Sequence, residues 1–161
     1  MVKTPIFQGA HQSPFNVAES VTLRDFDRNQ VGRLNRLHGD CLTPEQLDTL
    51  QGLVGGHPYL TRAALYRVAT GRHSTADLFD KALRADGEGP FADHLRRYEG
   101  KLGEDKGMQQ GMLQVIRHGT RPSQEIHYRL QALGLIHETG DGGVVPRNRL
   151  YADFFSRRFG P

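Results

Sequence analysis

The stretch Leu53–Tyr66 constrains this chain more than any other, and reads Leu-Val-Gly-Gly-His-Pro-Tyr-Leu-Thr-Arg-Ala-Ala-Leu-Tyr. Two glycines end one helix, because glycine adopts the left-handed turn that closes a last helical turn. Pro58 opens the next. The first N–H of a helix has no intrahelical partner, and the proline ring presets a helical φ. The pattern predicts a sharp, rigid corner presenting His57 and the Pro58 ring.

The flanking sequence is helical in character. Asp27 is placed to cap a helix carrying Val31, Leu34 and Leu37 on one face and ending near Gly39. Thr43-Pro44-Glu45-Gln46 combines a cap, a first-turn proline and a capping-box glutamine ahead of the stripe Leu47, Leu50, Leu53, Val54. After the corner, Leu60, Ala64, Leu65 and Val68 share a face, and Gly71 ends that helix. Ser74 opens a fourth helix, expected to run to about Gly87. Asp86-Gly-Glu-Gly-Pro90 is the best internal boundary. A helix with Phe91, Leu95 and Tyr98 follows, then a polar break at Gly100–Gly107, then a helix with Met108, Met112, Val115 and Ile116. Arg121-Pro122-Ser123 starts a further helix that Gly134 ends. Leu135–Glu138 and Val144-Val145 flank Gly140-Asp-Gly-Gly143, which predicts a β-hairpin. Arg149–Phe159 closes the pattern as a helix. The expected fold is mainly α: a small helical subdomain, then a winged-helix subdomain with one β-hairpin. The expected divisions are an irregular segment 1–22, a helical unit 23–86 and a winged-helix unit 87–161.

Composition removes several function classes. Among 161 residues there is no apolar run of the ~18 residues a membrane helix needs. The single Cys41 excludes an internal disulfide and fits a reducing, cytoplasmic setting. The net charge of +3 arises entirely after residue 116: residues 1–116 hold 14 basic and 14 acidic side chains, and residues 117–161 hold 7 and 4. None of the 8 histidines pairs at i, i+4, so they are expected to be scattered surface residues and not metal ligands. Asp93-His94 and Arg96-Arg97 are expected on a polar helix face. No phosphate-cradling Gly-x-x-x-x-Gly-Lys-Ser/Thr loop is present.

Taken in order, these pieces resemble the C-terminal half of bacterial AAA-like ATPases of the STAND group of signal-transduction NTPases. Ser13-Pro14-Phe15-Asn16-Val17 resembles the segment leaving the nucleotide-binding core. Leu53–Leu60 with Ala64-Leu65-Tyr66 resembles the helical-lid signature, and Asp93–Arg97 a later helix. Leu133–Ile136, Val144–Arg147 and Leu150-Tyr151 resemble the winged-helix end. The resemblance implies a lid whose corner, Gly56, His57 and Pro58, packs on the adenine side of a bound nucleotide. It implies ATP or ADP with Mg²⁺ as cofactor only when an ATPase core is joined in cis or trans, and none for the chain by itself. It also implies intramolecular or homo-oligomer contacts for the winged helix. The P-loop, the Mg²⁺-binding acidic strand and the sensor strands are lacking, so no catalytic residue and no autonomous hydrolysis are expected.

A second function class stays open at this stage: a stand-alone adaptor, or a winged-helix DNA-binding protein. The helix before the wing offers Gln124, His127, Arg129 and Gln131, and Arg147 and Arg149 follow the wing. The wing itself, Glu138-Thr-Gly-Asp-Gly-Gly143, carries two acids and no base, which phosphates would repel.

Overall fold

The computed structural model describes residues 24–160, so the irregular segment expected over 1–22, with Ser13–Val17, lies outside the described residues. Eight helices and one antiparallel hairpin follow in order among them. The first helix, α1 (Arg28–Leu37), starts where the Asp27 carboxylate accepts the Gln30 N–H and the Gln30 side chain accepts the Asp27 N–H. Thr43 and Gln46 repeat this reciprocal cap for α2 (Pro44–Val54). Each box satisfies backbone donors that a helix start leaves without partners. Gly55 then turns left-handed, with φ +62°, and α3 (Pro58–Ala69) begins three residues later.

The second half is organised by α6 (Lys106–His118). It packs against α5 (Ala92–Gly103), α7 (Gln124–Ala132), β2 (Val144–Pro146) and α8 (Arg149–Phe159). The hairpin pairs β1 (Ile136–Glu138) with β2 in the register Ile136 to Pro146 and Glu138 to Val144. α2 also packs on α8, so buried side chains from both halves form one contiguous core that includes Leu50, Leu60, Leu95, Met112, Leu150 and Phe155. No helix among the described residues is long and apolar enough to cross a membrane.

Three expectations change in detail. Leu37, expected on the apolar face of α1, is 83% exposed, and Asn35 is buried in the same turn. The reason is a backbone need. Leu42 is buried between α1 and α2, and Asn35 both donates to its carbonyl at 2.9 Å and accepts its N–H at 3.1 Å. The fourth helix, α4 (Thr75–Asp80), stops well before Gly87, and Lys81–Leu83 continues as turn. The polar break at Gly100–Gly107 shrinks to Glu104-Asp105. α5 runs through Gly100 to Gly103, and the Asp105 carboxylate accepts the Met108 N–H to start α6.

The corner depends on an absent side chain. Gly56 has φ +74°, and a Cβ there would lie 2.0 Å from the Phe26 carbonyl oxygen. Gly56→Ala is therefore expected to cost more than about 2 kcal/mol in urea unfolding, combining left-handed strain with a backbone clash. Gly71→Ala, at φ +70° with nothing near its Cβ position, is expected to cost about 1 kcal/mol from strain alone. Equal losses at the two sites would contradict the close approach.

Candidate functional site

The Gly55–Pro58 corner sits where the two halves of the chain meet. The Phe26 N–H donates to the Gly56 carbonyl at 2.8 Å. The Gln51 side-chain amide donates to the Phe26 carbonyl at 3.0 Å. Residues 25–26 are thus held across the corner like a short added strand. One residue earlier, Asp25 accepts from Arg147 at 2.7 Å. Arg147 follows β2 directly, and its N–H donates to the Leu135 carbonyl at 2.8 Å. The entry segment, the corner and the exit of the hairpin are therefore joined by consecutive hydrogen bonds.

Beneath the corner lies a cluster of rings. The His57 ring meets His94 of α5 edge-on at 5.7 Å and Tyr151 of α8 edge-on at 6.2 Å. The His94 imidazole Nε2 shares a hydrogen bond of 2.6 Å with the Tyr151 hydroxyl, which is 57 residues away in sequence. Tyr98 closes edge-on against both. Burial holds the protons in place. It pushes the His94 pKa down to about 4, helped by the nearby His57 and Arg97, and it raises that of Tyr151. His57 is lowered too, by burial and then by the Arg147 charge. At neutral pH the pair is a neutral imidazole bonded to a neutral phenol. Among the described residues no carboxylate hydrogen-bonds to either ring, and the shared bond ties α5 to α8.

The three corner residues have different surroundings. Gly56 is covered by Phe26, and His57 faces inward with its Nδ1 buried and without a partner among the described residues. Pro58 is half-buried and retains exposed surface beside the exposed Tyr59. Among the residues offered to DNA, Gln124 and Gln131 are exposed. His127 is not available: it is 2% exposed and its Nε2 lies 3.1 Å from the Glu138 carboxylate. Arg129 pairs with Asp105 at 2.8 Å, Arg147 with Asp25, and Arg149 with Asp153 at 3.2 Å. The described residues contain no group of three or more metal-ligating side chains.

Asp93, Arg96 and Arg97 form the expected exposed polar face, but His94 departs from it and from the expectation of surface histidines. It is 9% exposed because α5 turns it toward the core. Its spacing carries the signal. Positions 91, 94, 95, 98 and 102 trace one helical stripe, and His94 falls within it between Phe91, Leu95, Tyr98 and Leu102. Nothing local, however, names Tyr151 as its partner.

The depressed His94 pKa makes stability depend on pH. An unfolded histidine titrates near ~6.5, and the folded His94 near about 4. Between these values the unfolded chain binds the extra proton. Stability is therefore full above the unfolded value and is lost as pH falls toward the folded one. In wild type the urea midpoint is expected to drop between pH 7 and pH 5. His94→Gln, which keeps a donor for Tyr151, is expected to show a smaller drop. An unchanged drop would remove His94 as the source.

The sequence model of the AAA-like domain family matches residues 4–157. No curated protein and no solved structure shows significant similarity to the chain. The match spans nearly the whole sequence, through both sides of the corner and both strands of the hairpin, and the chain belongs to the AAA-like domain family.

Proposed function

We propose that this chain is a non-catalytic regulatory module of a STAND-type ATPase, acting in the cytoplasm. Residues 23–86 serve as a helical lid, and residues 87–161 as a winged-helix unit making intramolecular or oligomer contacts. The lid closes over a nucleotide held by an ATPase core, in cis or in trans. Rigid-body movement then passes the nucleotide state onward. Family membership is compatible with such an ATPase-associated role.

The observation that carries this reading is the clamp at the corner. Phe26 binds Gly56, and its neighbour Asp25 binds Arg147 at the exit of the hairpin. A pull on the segment entering at residue 25 acts on the corner and on the hairpin at once. The clamp supplies the mechanical link that a lid needs in order to report on a core.

The fit to a nucleotide is partial and specific. Pro58 offers an apolar ring at a fixed position, suited to one face of adenine. Gly56 supports it from behind through its contact with Phe26, and His57 supports it through the buried rings. Phosphate and Mg²⁺ contacts fall to the core, since the chain has no Gly-x-x-x-x-Gly-Lys-Ser/Thr loop. No step of hydrolysis is assigned to residues of this chain.

A winged-helix DNA reader stays the second reading, with Gln124 and Gln131 exposed on its helix. His127 is buried, and Arg129, Arg147 and Arg149 each face a carboxylate within the chain. In an intact ATPase carrying this module, Pro58→Ala is expected to weaken nucleotide binding about fivefold, the effect of losing roughly 1 kcal/mol of apolar contact. Titration with a fluorescent ADP analogue reads this directly. Unchanged affinity would refute the adenine-side role.

A further inference from the structure

We propose that the outward face of α3 binds single-stranded nucleic acid, with bases stacked on Tyr59 and Tyr66 and phosphates met by Arg62, Arg67 and Arg72. This goes beyond the lid reading and uses a different surface from the helix before the wing. Tyr59 and Tyr66 are 52% and 44% exposed, among the few large hydrophobic side chains left in solvent. Residues 59, 62, 63 and 66 follow the spacing of one helix face. Together with Arg67 and Arg72 they line an open concavity of about 270 Å³, to which no carboxylate among the described residues contributes.

The rings are already ordered. Tyr59 lies 5.0 Å from His94 and 22° from parallel, and His94 lies 5.7 Å from Tyr151 at 12°. A near-parallel series thus runs from the fully buried Tyr151 to the surface, where Tyr59 ends it with area uncovered. A flat ligand adding there would not have to immobilise a free side chain. Tyr66 carries the Arg72 guanidinium 5.4 Å from its ring centre. Arg67 is 4.0 Å from Asp93, while Arg62 and Arg72 make no ion pair among the described residues. The face therefore presents two stacking surfaces with positive charge between and beyond them.

Spacing selects the ligand. Two residues seven apart on a helix are displaced by about 10 Å along its axis. Duplex bases repeat at ~3.4 Å and are closed inside the stack. An extended, unstacked strand can reach both tyrosines with separate bases while its phosphates pass the arginines, the combination by which single strands are held without sequence preference. An acidic protein surface would neutralise the arginines but gives no reason for flat rings backed by further rings.

The test is fluorescence anisotropy of labelled oligothymidylate with the chain. Micromolar binding that falls steeply with added salt is expected. Tyr66→Ala and Tyr59→Ala are each expected to weaken it about tenfold, the measured scale of one lost base stack. Tyr59→Phe, which keeps the ring against His94, is expected to bind like wild type. Arg62→Glu, on an exposed side chain, is expected to weaken binding at least as much as Tyr66→Ala, with unchanged far-UV circular dichroism for both. Four results would overturn the proposal: no binding, tighter binding to duplex than to single strand, wild-type affinity in both Tyr66→Ala and Arg62→Glu, or displacement by a poly-glutamate peptide or by ADP at equal concentration. The last would mark an acidic-protein or mononucleotide site instead.

Discussion

The hydrogen bond from the Phe26 N–H to the Gly56 carbonyl exists only because residue 56 has no side chain. Any Cβ there would lie 2.0 Å from the Phe26 oxygen. Much of the surrounding geometry depends on that approach. It places Asp25 against Arg147 and sets Asp27 where its carboxylate caps α1. It also leaves Gln51 to satisfy the Phe26 carbonyl, which the crossing would otherwise bury. A single left-handed glycine thus connects the start of the described chain, the bend between α2 and α3, and the exit of the hairpin.

The ring cluster gives this junction its rigidity. A buried histidine and tyrosine share one short hydrogen bond, Tyr59 stacks on the imidazole, and Tyr98 meets it edge-on. Buried polar groups are costly when unpaired, so a matched pair inside a core favours one arrangement over its alternatives. At the corner, His57 Nδ1 and Thr61 Oγ are buried with no protein partner among the described residues, one on each side of Pro58 in sequence.

Much of the secondary structure was legible because its signals are local. The Asp27 and Thr43 capping boxes, the first-turn proline at 58 and the glycine-rich turn at 140–143 each act within a few residues, and helices and a hairpin form where those signals stand. Where local signals compete, the sequence misleads. Leu37 fits the apolar period of α1, yet the buried Leu42 backbone claims Asn35, and Leu37 is left in solvent. The candidate site was half legible. The corner is written in Gly55–Pro58, but what covers it is not: Asp25 and Arg147 are 122 residues apart, and His94 and Tyr151 are 57 apart. His94 was expected on a polar face with Asp93, although it also falls in the stripe Phe91, Leu95, Tyr98 and Leu102 that the fold buries, and nothing local names the residue it meets. Charge told that the C-terminal segment is basic, while the pairing of Arg129, Arg147 and Arg149 with carboxylates depends on the folded geometry.

The clamp at residues 25–26 is the claim on which the mechanical account rests, and amide hydrogen exchange measures it directly. If Phe26 is held across the corner, its N–H will exchange with protection comparable to the core amides of α2 and α8. Slow exchange at Phe26 that is lost in Gly56→Ala, with α6 still protected, is the predicted result. Exchange of the Phe26 amide at the rate of an unstructured peptide, while α2 and α8 remain protected, would contradict it.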